Sequence, residues 1–268
     1  NTANTLALPQ GRIAEVPMNL NHHLDQLFEA QSVAVIGASN TLGKWDFGII
    51  SLLLSKGGRE VYAINRNGGE VLGIRAYRSL REVPGRVDVA VIVTAVQDTP
   101  AAIEDCVHKE VKFAIVISGG FSEVSEEGAR IEREVVEIAR RGGIRLVGPN
   151  CMGHFNAFSN FFTIPFKIPV RKGPVSIITQ SGNSGISVFA MGWDVGLGFS
   201  KYINSGNEAD IHFEDYLEYL GQDDKTKVIL GYVEGLREGK RFLELAGEIS
   251  KRKPIVILKA GRTEEGAR

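Results

Sequence analysis

Short apolar runs separated by helical patterns recur along the whole chain, and this alternation is the feature that most restricts its fold. In the first half, the predicted strands lie at residues 32–36, 60–64, 87–93, 113–117 and 144–147. Strands that alternate with helices form right-handed βαβ units, whose parallel sheet is covered by helices on both faces. We therefore expect a Rossmann-like domain over residues 30–150, preceded by an N-terminal arm and short helix at residues 1–29.

The same alternation restarts after a segment of different composition. Residues 151–172 are rich in Phe and Asn and have no clean helical period, so we expect a connection between two domains. The strands predicted beyond it lie at 175–179, 199–203, 227–233 and 254–258. They predict a second α/β domain of the flavodoxin-like type over residues 173–268, again with a parallel sheet.

Composition argues against several classes of function. The chain has 31 Lys and Arg against 32 Asp and Glu, so no broad basic surface for nucleic acid or anionic lipid is expected. Its two cysteines argue against a disulfide framework and fit the reducing cytoplasm. No apolar run approaches the length of a membrane span. His22 and His23 could bind a metal, but two adjacent histidines in such an N-terminal arm are more often just solvated. A metal site is therefore not expected.

The loop after the first strand has the composition of a phosphate site. Gly37 ends the strand, residues 38–41 are small and mostly polar, and Gly43-Lys44 opens a helical pattern that ends near residue 56. Small residues let a ligand approach the backbone, and the free N–H groups at a helix start point toward it. An ordinary strand-to-helix turn is the alternative, but the position as first loop of an α/β pattern favours phosphate.

Spacing argues against a nucleotide P-loop. Such a loop needs four residues between the first glycine and Gly-Lys, followed by Ser or Thr. Here five residues separate Gly37 from Gly43, and Trp45 follows Lys44.

A dinucleotide site is also disfavoured, although NAD stays an alternative. Ser39 and Leu42 stand where the second and third glycines of the fingerprint would be, and Asn65 replaces the acidic residue that holds the ribose hydroxyls. Small or polar loops follow other strands at residues 93–95, 117–120 and 148–151. Because ligands of open α/β sheets gather at the carboxyl ends of strands, these loops could line one groove for a longer phosphate-bearing ligand.

A second anion site is predicted after the strand at residues 175–179. Ser181 is a plausible N-cap of the next helix, and the free N–H groups at Gly182 and Asn183 add to the helix dipole. A routine capped helix accounts for these residues equally well.

Four motifs in this order resemble the NDP-forming acyl-CoA synthetases, in particular the CoA-binding α part of ADP-forming acetyl-CoA synthetases, which is related to the succinyl-CoA synthetase α subunit. The motifs are Gly37-Ala38-Ser39 with Gly43-Lys44, Gly148-Pro149-Asn150-Cys151 with Gly153, Gln180-Ser181-Gly182, and Lys259-Ala260-Gly261-Arg262. The resemblance runs from about residue 24 to the last residue. It implies a ligase that joins a carboxylic acid to CoA with cleavage of ATP to ADP and phosphate, through acyl-phosphate and phosphohistidine intermediates.

The resemblance implies a coenzyme A site in the first domain. The loop at 39–42 would wrap the CoA phosphates, residues 117–119 would contact the pantetheine side, and Asn150 and Cys151 would lie beside the thiol. The full set of expected CoA contacts is Gly37, Ser39, Asn40, Thr41, Leu42, Lys44, Asn67, Thr94, Ile117, Ser118, Gly119, Asn150 and Cys151. Asn67 departs from the family, which often has a lysine after the second strand.

The resemblance also implies roles in the second domain. Ser181, Gly182 and Asn183 would hold the phosphohistidine, and the carboxylate of Glu234 would orient that histidine. In the family the histidine follows the Lys-Ala-Gly-Arg turn, so we expect this chain to be a portion that binds CoA without turnover. Cys151 and His154 could be proposed as a Cys–His nucleophile pair, but nothing else in the sequence supports thiol catalysis.

Partners follow from the same resemblance. ATP or ADP and Mg would bind a separate ATP-grasp part, either a β subunit or a fused domain, and an oligomer is expected. The alternative is a non-catalytic CoA-binding module of the kind fused to some protein acetyltransferases.

Overall fold

The computed structural model describes residues 20–261, which form two α/β domains with one sheet each. The expectations for the N-terminal arm before residue 20, for the side chains of His22 and His23, and for Arg262 lie outside the described residues. Within residues 20–261, none of the helices combines the length and the hydropathy that a membrane span requires.

The first domain has a seven-stranded sheet that is parallel except at one edge. Its strands are β1 (Ser32–Ile36), β2 (Glu60–Ile64), β3 (Glu70–Val71), β4 (Ile74–Tyr77), β5 (Val89–Ile92), β6 (Phe113–Val116) and β7 (Arg145–Val147). Its helices are α1 (Leu20–Phe28), α2 (Trp45–Lys56), α3 (Thr99–His108) and α4 (Glu126–Arg141). The strand order is β3-β4-β2-β1-β5-β6-β7, and only β3 and β4 pair antiparallel. All five residues of β1 are buried, as expected for a central parallel strand.

The second domain has a six-stranded sheet of order β13-β12-β10-β11-β8-β9. Its strands are β8 (His154–Asn156), β9 (Phe161–Phe162), β10 (Lys172–Thr179), β11 (Phe199–Asn204), β12 (Val228–Val233) and β13 (Ile255–Lys259). Its helices are α5 (Gly182–Asp194), α6 (Phe213–Gln222) and α7 (Gly239–Ile249). The strands from β10 onward pair parallel, whereas β8 and β9 add an antiparallel edge.

Two features of the sheets correct the expectations. The segment 151–172 is not only a connection, because it contains β8 and β9, and Phe155 of β8 stacks on Tyr202 of β11 with ring centroids 5.6 Å apart.

The β3–β4 hairpin was also not predicted. Strands of two to four residues are too short to show an alternating pattern, so their assignment depends on the neighbouring strand.

Buried contacts hold the two domains together. Phe28 at the end of α1 stacks on Tyr219 of α6 at 5.1 Å, and the Tyr219 hydroxyl donates to Asp25 at 2.9 Å. Next to Phe28, the Arg59 guanidinium donates to the backbone carbonyls of Ser159 and Asn160 at 3.1 and 2.9 Å. These contacts join the amino-end side of the first sheet, just before β1 and β2, to the second domain.

Gly48 of α2 lies where the first domain packs against the chain segment that follows β9. A Cβ atom at Gly48 would stand 1.7 Å from the carbonyl oxygen of Pro165, a distance that no side chain can adopt without movement of the backbone. We expect Gly48→Ala to lower the free energy of unfolding by about 1–3 kcal/mol, measured by urea denaturation.

Gly247 in α7 provides the matched control, because its added Cβ would meet no atom within 4 Å. Gly247→Ala is expected to stabilise the protein by up to about 1 kcal/mol through helix propensity alone. Equal effects of the two substitutions would contradict the close packing at Gly48.

Candidate functional site

A groove opens at the carboxyl ends of β1, β2 and β5, where the strand order changes direction. In open α/β sheets this switch point is the usual place for a ligand. The groove encloses a cavity of about 590 Å³, and five of the predicted CoA residues line it, namely Gly37, Ser39, Lys44, Asn67 and Thr94.

Gly37 allows the close turn from β1 into this groove. Its φ is 97°, and a Cβ atom there would stand 3.0 Å from the carbonyl oxygen of Val93. The N–H groups of Gly37 and Ala38 both donate to the carbonyl of Ile64 at 3.0 Å, so the turn is tied to the end of β2. A side chain at this position would be strained and would press on the next strand end.

Two arginines that the sequence analysis did not select complete the groove. Arg66 follows β2 and Arg78 follows β4, and both line the cavity together with Lys44. Their meeting depends on the pairing of β2 with β4, which leaves no local signal in the sequence. Three cations beside the start of α2 favour an anionic ligand.

Acidic residues confine this positive charge to one part of the groove. Asp46, Asp98 and Asp105 also line the cavity, and Asp105 accepts hydrogen bonds from Arg81 at 2.6 Å and from Ser79 at 2.7 Å. The Oγ1 of Thr94 is buried without a protein partner, which leaves it available to a ligand.

Three predicted residues lie at the outer rim instead of the groove wall. Asn40 bridges to the β3–β4 hairpin, since its amide donates to the Glu70 carbonyl and accepts from the Leu72 N–H, both at 2.9 Å. Thr41 donates its N–H to the Ser39 hydroxyl at 3.3 Å, and the Leu42 side chain is 82% exposed. Their contact with CoA stays a prediction.

The loops after β6 and β7 extend the groove toward the second domain. The Ser118 hydroxyl donates to the carbonyl of Thr94, and the Asn150 N–H donates to the carbonyl of Ser118 at 2.9 Å. A Cβ atom at Gly119 would lie 3.1 Å from the side-chain oxygen of Asn150. The structure therefore brings Thr94, Ser118, Gly119 and Asn150 together, whereas the Ile117 side chain packs in the core.

Cys151 and His154 are too buried to act as a nucleophile pair. The Cys151 thiol donates to the carbonyl of Val116 at 3.3 Å, and burial raises its pKa to about 12. The His154 ring lies edge-on to Phe28 and Phe161, and burial lowers its pKa to about 3. A thiol held neutral by an apolar environment is inert, so a role for Cys151 at a CoA site would be in shaping the turn.

The start of α5 and the turn after β12 form one unit in the second domain. The Gln180 side-chain oxygen accepts from the N–H groups of Glu234 and Gly235 at 2.6 and 3.0 Å, and its amide donates to the Gly235 carbonyl at 2.7 Å. Ser181 caps α5 by accepting from the Ser184 N–H at 3.3 Å, as predicted, beside Gly182 and Asn183. The exposed Glu234 thus lies on a turn whose backbone is held in place.

Both sets of loops meet in one cavity at the domain junction. Its volume is about 360 Å³, and its lining includes Asn150 from the first domain with Gln180 and Glu234 from the second. The Asn207 amide crosses the junction and donates to Glu123 at 2.6 Å and to Glu132 at 2.9 Å. Across residues 20–261, no cluster of three or more His, Cys, Asp or Glu residues is suited to a metal ion.

Comparison with known families assigns each domain. The model of a CoA binding domain matches residues 31–157, and the model of a succinyl-CoA ligase like flavodoxin domain matches residues 172–268. The fold and these two matches therefore define the class of the protein: a CoA binding domain followed by a succinyl-CoA ligase like flavodoxin domain.

Individual proteins that are similar to this chain indicate its family. The chain is 41% identical over 245 residues to the alpha subunit of acetate–CoA ligase (ADP-forming) II from Pyrococcus furiosus, an alignment that covers 91% of this chain and 53% of that subunit. It is 42% identical over 246 residues to acetate–CoA ligase (ADP-forming) from Methanocaldococcus jannaschii, covering 92% of this chain and 34% of that protein. The structure is also similar to that of dinucleotide-forming acetyl-coenzyme A synthetase 1 from Ca. Korarchaeum cryptofilum, solved in complex with phosphate and ADP. The TM-score is 0.86 and the sequence identity 38%, and the match covers 91% of this chain and 53% of that one.

The chain belongs to the NDP-forming acyl-CoA synthetase family, as its motifs predicted. It spans 53% of the length of the Pyrococcus furiosus relative and 34% of the Methanocaldococcus jannaschii one.

Proposed function

We propose that this chain is the CoA-binding α part of an acyl-CoA synthetase that interconverts a carboxylic acid, CoA and ATP with acyl-CoA, ADP and phosphate. The observation that carries the proposal is the junction cavity. Asn150, predicted to lie beside the CoA thiol, and Glu234, predicted to orient the phosphohistidine, line the same cavity of about 360 Å³. A thiol and a phosphorylated histidine must both reach the acyl group, so their sites need to adjoin.

In this proposal CoA runs along the groove of the first domain. Its phosphates would lie against the turn from Gly37 to Lys44, where Arg66 and Arg78 supply further positive charge. The pantetheine would pass Thr94, Ser118 and Gly119, so that the thiol reaches the Asn150 turn. The free Thr94 hydroxyl supports this path, because a buried polar atom without a partner is costly unless a ligand satisfies it.

The second domain would hold the phosphorylated histidine. Its phosphoryl group would lie at the start of α5, where Ser181, Gly182 and Asn183 present N–H groups and the positive end of the helix dipole. The Glu234 carboxylate would accept the N–H of one ring nitrogen. The other nitrogen would then be the nucleophile that receives the phosphoryl group from acyl phosphate or from ATP.

Other parts of the reaction are assigned outside residues 20–261. The histidine would come from sequence that follows the Lys259–Arg262 turn in this family, and ATP, ADP and Mg²⁺ would bind an ATP-grasp β subunit or fused domain. The alpha-subunit names of the relatives support a second part of this kind. A cytoplasmic setting is proposed on the two free cysteines.

Calorimetry of the chain with CoA and, separately, with NAD tests the ligand. We expect CoA to bind and NAD not to bind. NAD lacks its usual acidic partner here, because Asn65 stands in that position and its amide donates to the Ala38 carbonyl at 2.8 Å. Binding of NAD without CoA would contradict the proposal. CoA binding without phosphohistidine formation in the complete assembly would favour the non-catalytic CoA-binding module.

A further inference from the structure

Glu208 is a buried carboxyl group with no role in the proposed function. It is 3% exposed, and its Oε1 accepts a hydrogen bond from the Ser205 hydroxyl at 2.7 Å, whereas its Oε2 has no partner. Its backbone has a φ of 55°, in the left-handed region that side chains rarely adopt. A buried, half-satisfied carboxyl on a strained backbone is a costly arrangement, and such arrangements cluster at functional sites.

The residues on either side of Glu208 are bound to the Gly148–Pro149 turn. The Asn207 N–H donates to the Pro149 carbonyl at 2.9 Å, and the Ala209 N–H donates to the Gly148 carbonyl at 3.0 Å. Gly206 lies so close that a Cβ atom there would stand 2.2 Å from the Pro149 carbonyl oxygen. Glu208 is therefore held next to the turn at which the CoA thiol is proposed to end.

The same carboxyl group borders the predicted phosphohistidine site. Glu208 lines the junction cavity together with Asn150, Gln180 and Glu234. Glu208 therefore shares a cavity with Asn150, at the turn proposed for the thiol, and with Glu234, proposed to orient the histidine.

The buried environment of Glu208 favours exchange of a proton near neutral pH. Burial raises the pKa of Glu208 to about 7, and the neighbouring Glu214 carboxylate adds to the shift, whereas the hydrogen bond from Ser205 opposes it. The other titratable groups that line the two cavities bordered by Glu208, or lie close to it, are Glu123, Glu132, Arg133, Glu137, Arg140, Arg141, His212, Tyr216, Glu234 and Arg237. A carboxyl group with a pKa near the working pH is well suited to general acid–base catalysis.

We propose that Glu208 accepts the proton of the CoA thiol during acyl transfer, an inference that rests on the proposed function. As the S–H bond breaks, its proton passes to the Glu208 carboxylate, and the sulfur lone pair forms the bond to the carbonyl carbon of the acyl phosphate. The C–O bond to phosphate then breaks with its electron pair on oxygen. Glu208 gives its proton to that oxygen, so phosphate leaves as hydrogen phosphate and the carboxylate is restored. In the reverse direction, phosphorolysis of acyl-CoA, the same groups act in the opposite order: Glu208 takes the proton of hydrogen phosphate and gives it to the departing thiolate.

The test compares two half-reactions in the full-length enzyme assembled with its ATP-grasp part. Phosphohistidine formation from ATP and Mg²⁺ needs no thiol, and we expect Glu208→Gln to leave it within about twofold of the wild type. Formation of acetyl-CoA from acetyl phosphate and CoA is expected to fall by about 10²- to 10⁴-fold. The conservative Glu208→Asp variant is expected to recover part of this loss, and CoA affinity by calorimetry is expected to stay unchanged in both variants.

The pH profile separates proton transfer from a structural role. In the wild type, the rate of acetyl-CoA formation should rise with pH through about 7, because only the ionised carboxylate accepts the proton. This rise should be missing in Glu208→Gln. Glu134→Gln, at an exposed position of α4, is the control and should behave as the wild type.

The outcomes separate this proposal from the proposed function. A wild-type assembly that forms no phosphohistidine would overturn the proposed function and the role of Glu208 with it. Normal phosphohistidine formation combined with wild-type acetyl-CoA formation in Glu208→Gln would overturn the role of Glu208 alone. A wild-type rate that does not change between about pH 6 and pH 8 would do the same, even if the variant fails to fold.

Discussion

Replacement of Glu234 by glutamine is expected to lower the rate of phosphohistidine formation in the complete enzyme by about 10²- to 10⁴-fold. The carboxylate would fix the histidine tautomer and stabilise the positive charge that develops on the ring when phosphorus is attacked. A glutamine side chain has nearly the same shape but no charge. The turn itself should persist, because Gln180 binds the backbone N–H groups of residues 234 and 235 and not the Glu234 side chain.

The measurement is acid-labile labelling of the protein from radioactive ATP with Mg²⁺. Glu244→Gln, on the exposed face of α7, is the control with the same chemical change, and it should label at the wild-type rate. CoA affinity should be nearly equal in all three proteins, because the charged contacts proposed for CoA lie in the groove of the first domain. Labelling of the Glu234→Gln protein at the wild-type rate would show that Glu234 does not orient the histidine.

Loss of Arg66 or Arg78 is expected to weaken CoA binding by about 10- to 100-fold each. A hydrogen bond between charged partners contributes about 1.5–3 kcal/mol, and each 1.4 kcal/mol changes affinity about tenfold. Both guanidinium groups line the groove opposite the Gly37 turn, together with Lys44. Isothermal titration calorimetry of Arg66→Ala and Arg78→Ala with CoA measures the effect, and the dependence on salt should decrease in both variants because fewer charges are paired.

Two controls test whether these arginines act through the phosphates. Arg252→Ala removes an exposed guanidinium from the second domain and should leave CoA affinity unchanged. Pantetheine carries no phosphate, so its binding should not distinguish the wild type from the two groove variants. Equal losses of affinity for pantetheine and for CoA would indicate that the substitutions disturb the fold of the groove.

Much of the candidate site was predictable from local sequence. Gly37, Ser39, Lys44, Asn67 and Thr94 were selected from strand ends or from the family motifs, and they line one groove. Ser181 was predicted to cap a helix, and it does. Local sequence can indicate such positions because turn geometry and helix capping depend on a few adjacent residues, whose chemistry is visible in the sequence; contact with CoA stays a prediction.

The residues that the sequence analysis did not select enter the site through contacts between distant parts of the chain. Arg66 and Arg78 enter the groove because β2 pairs with β4, and Glu208 reaches the junction because its loop binds the Gly148–Pro149 turn about sixty residues earlier. No local pattern distinguishes them from the other arginines and glutamates. The short strands β8 and β9 were missed for the same reason, since they form only against β11.

The alternation of apolar strands and helices by itself determined two α/β domains, because the burial of a parallel sheet requires that pattern. The glycine spacing and Asn65 in addition argued against a P-loop and an NAD site. Only the tertiary structure decided that Asn150 of the first domain lines one cavity with Gln180 and Glu234 of the second. It also decided that Cys151 is an inert buried thiol and that Glu208 is a buried carboxyl. Burial and long-range pairing are properties of the packed chain, and they set the charge states on which the proposed chemistry depends.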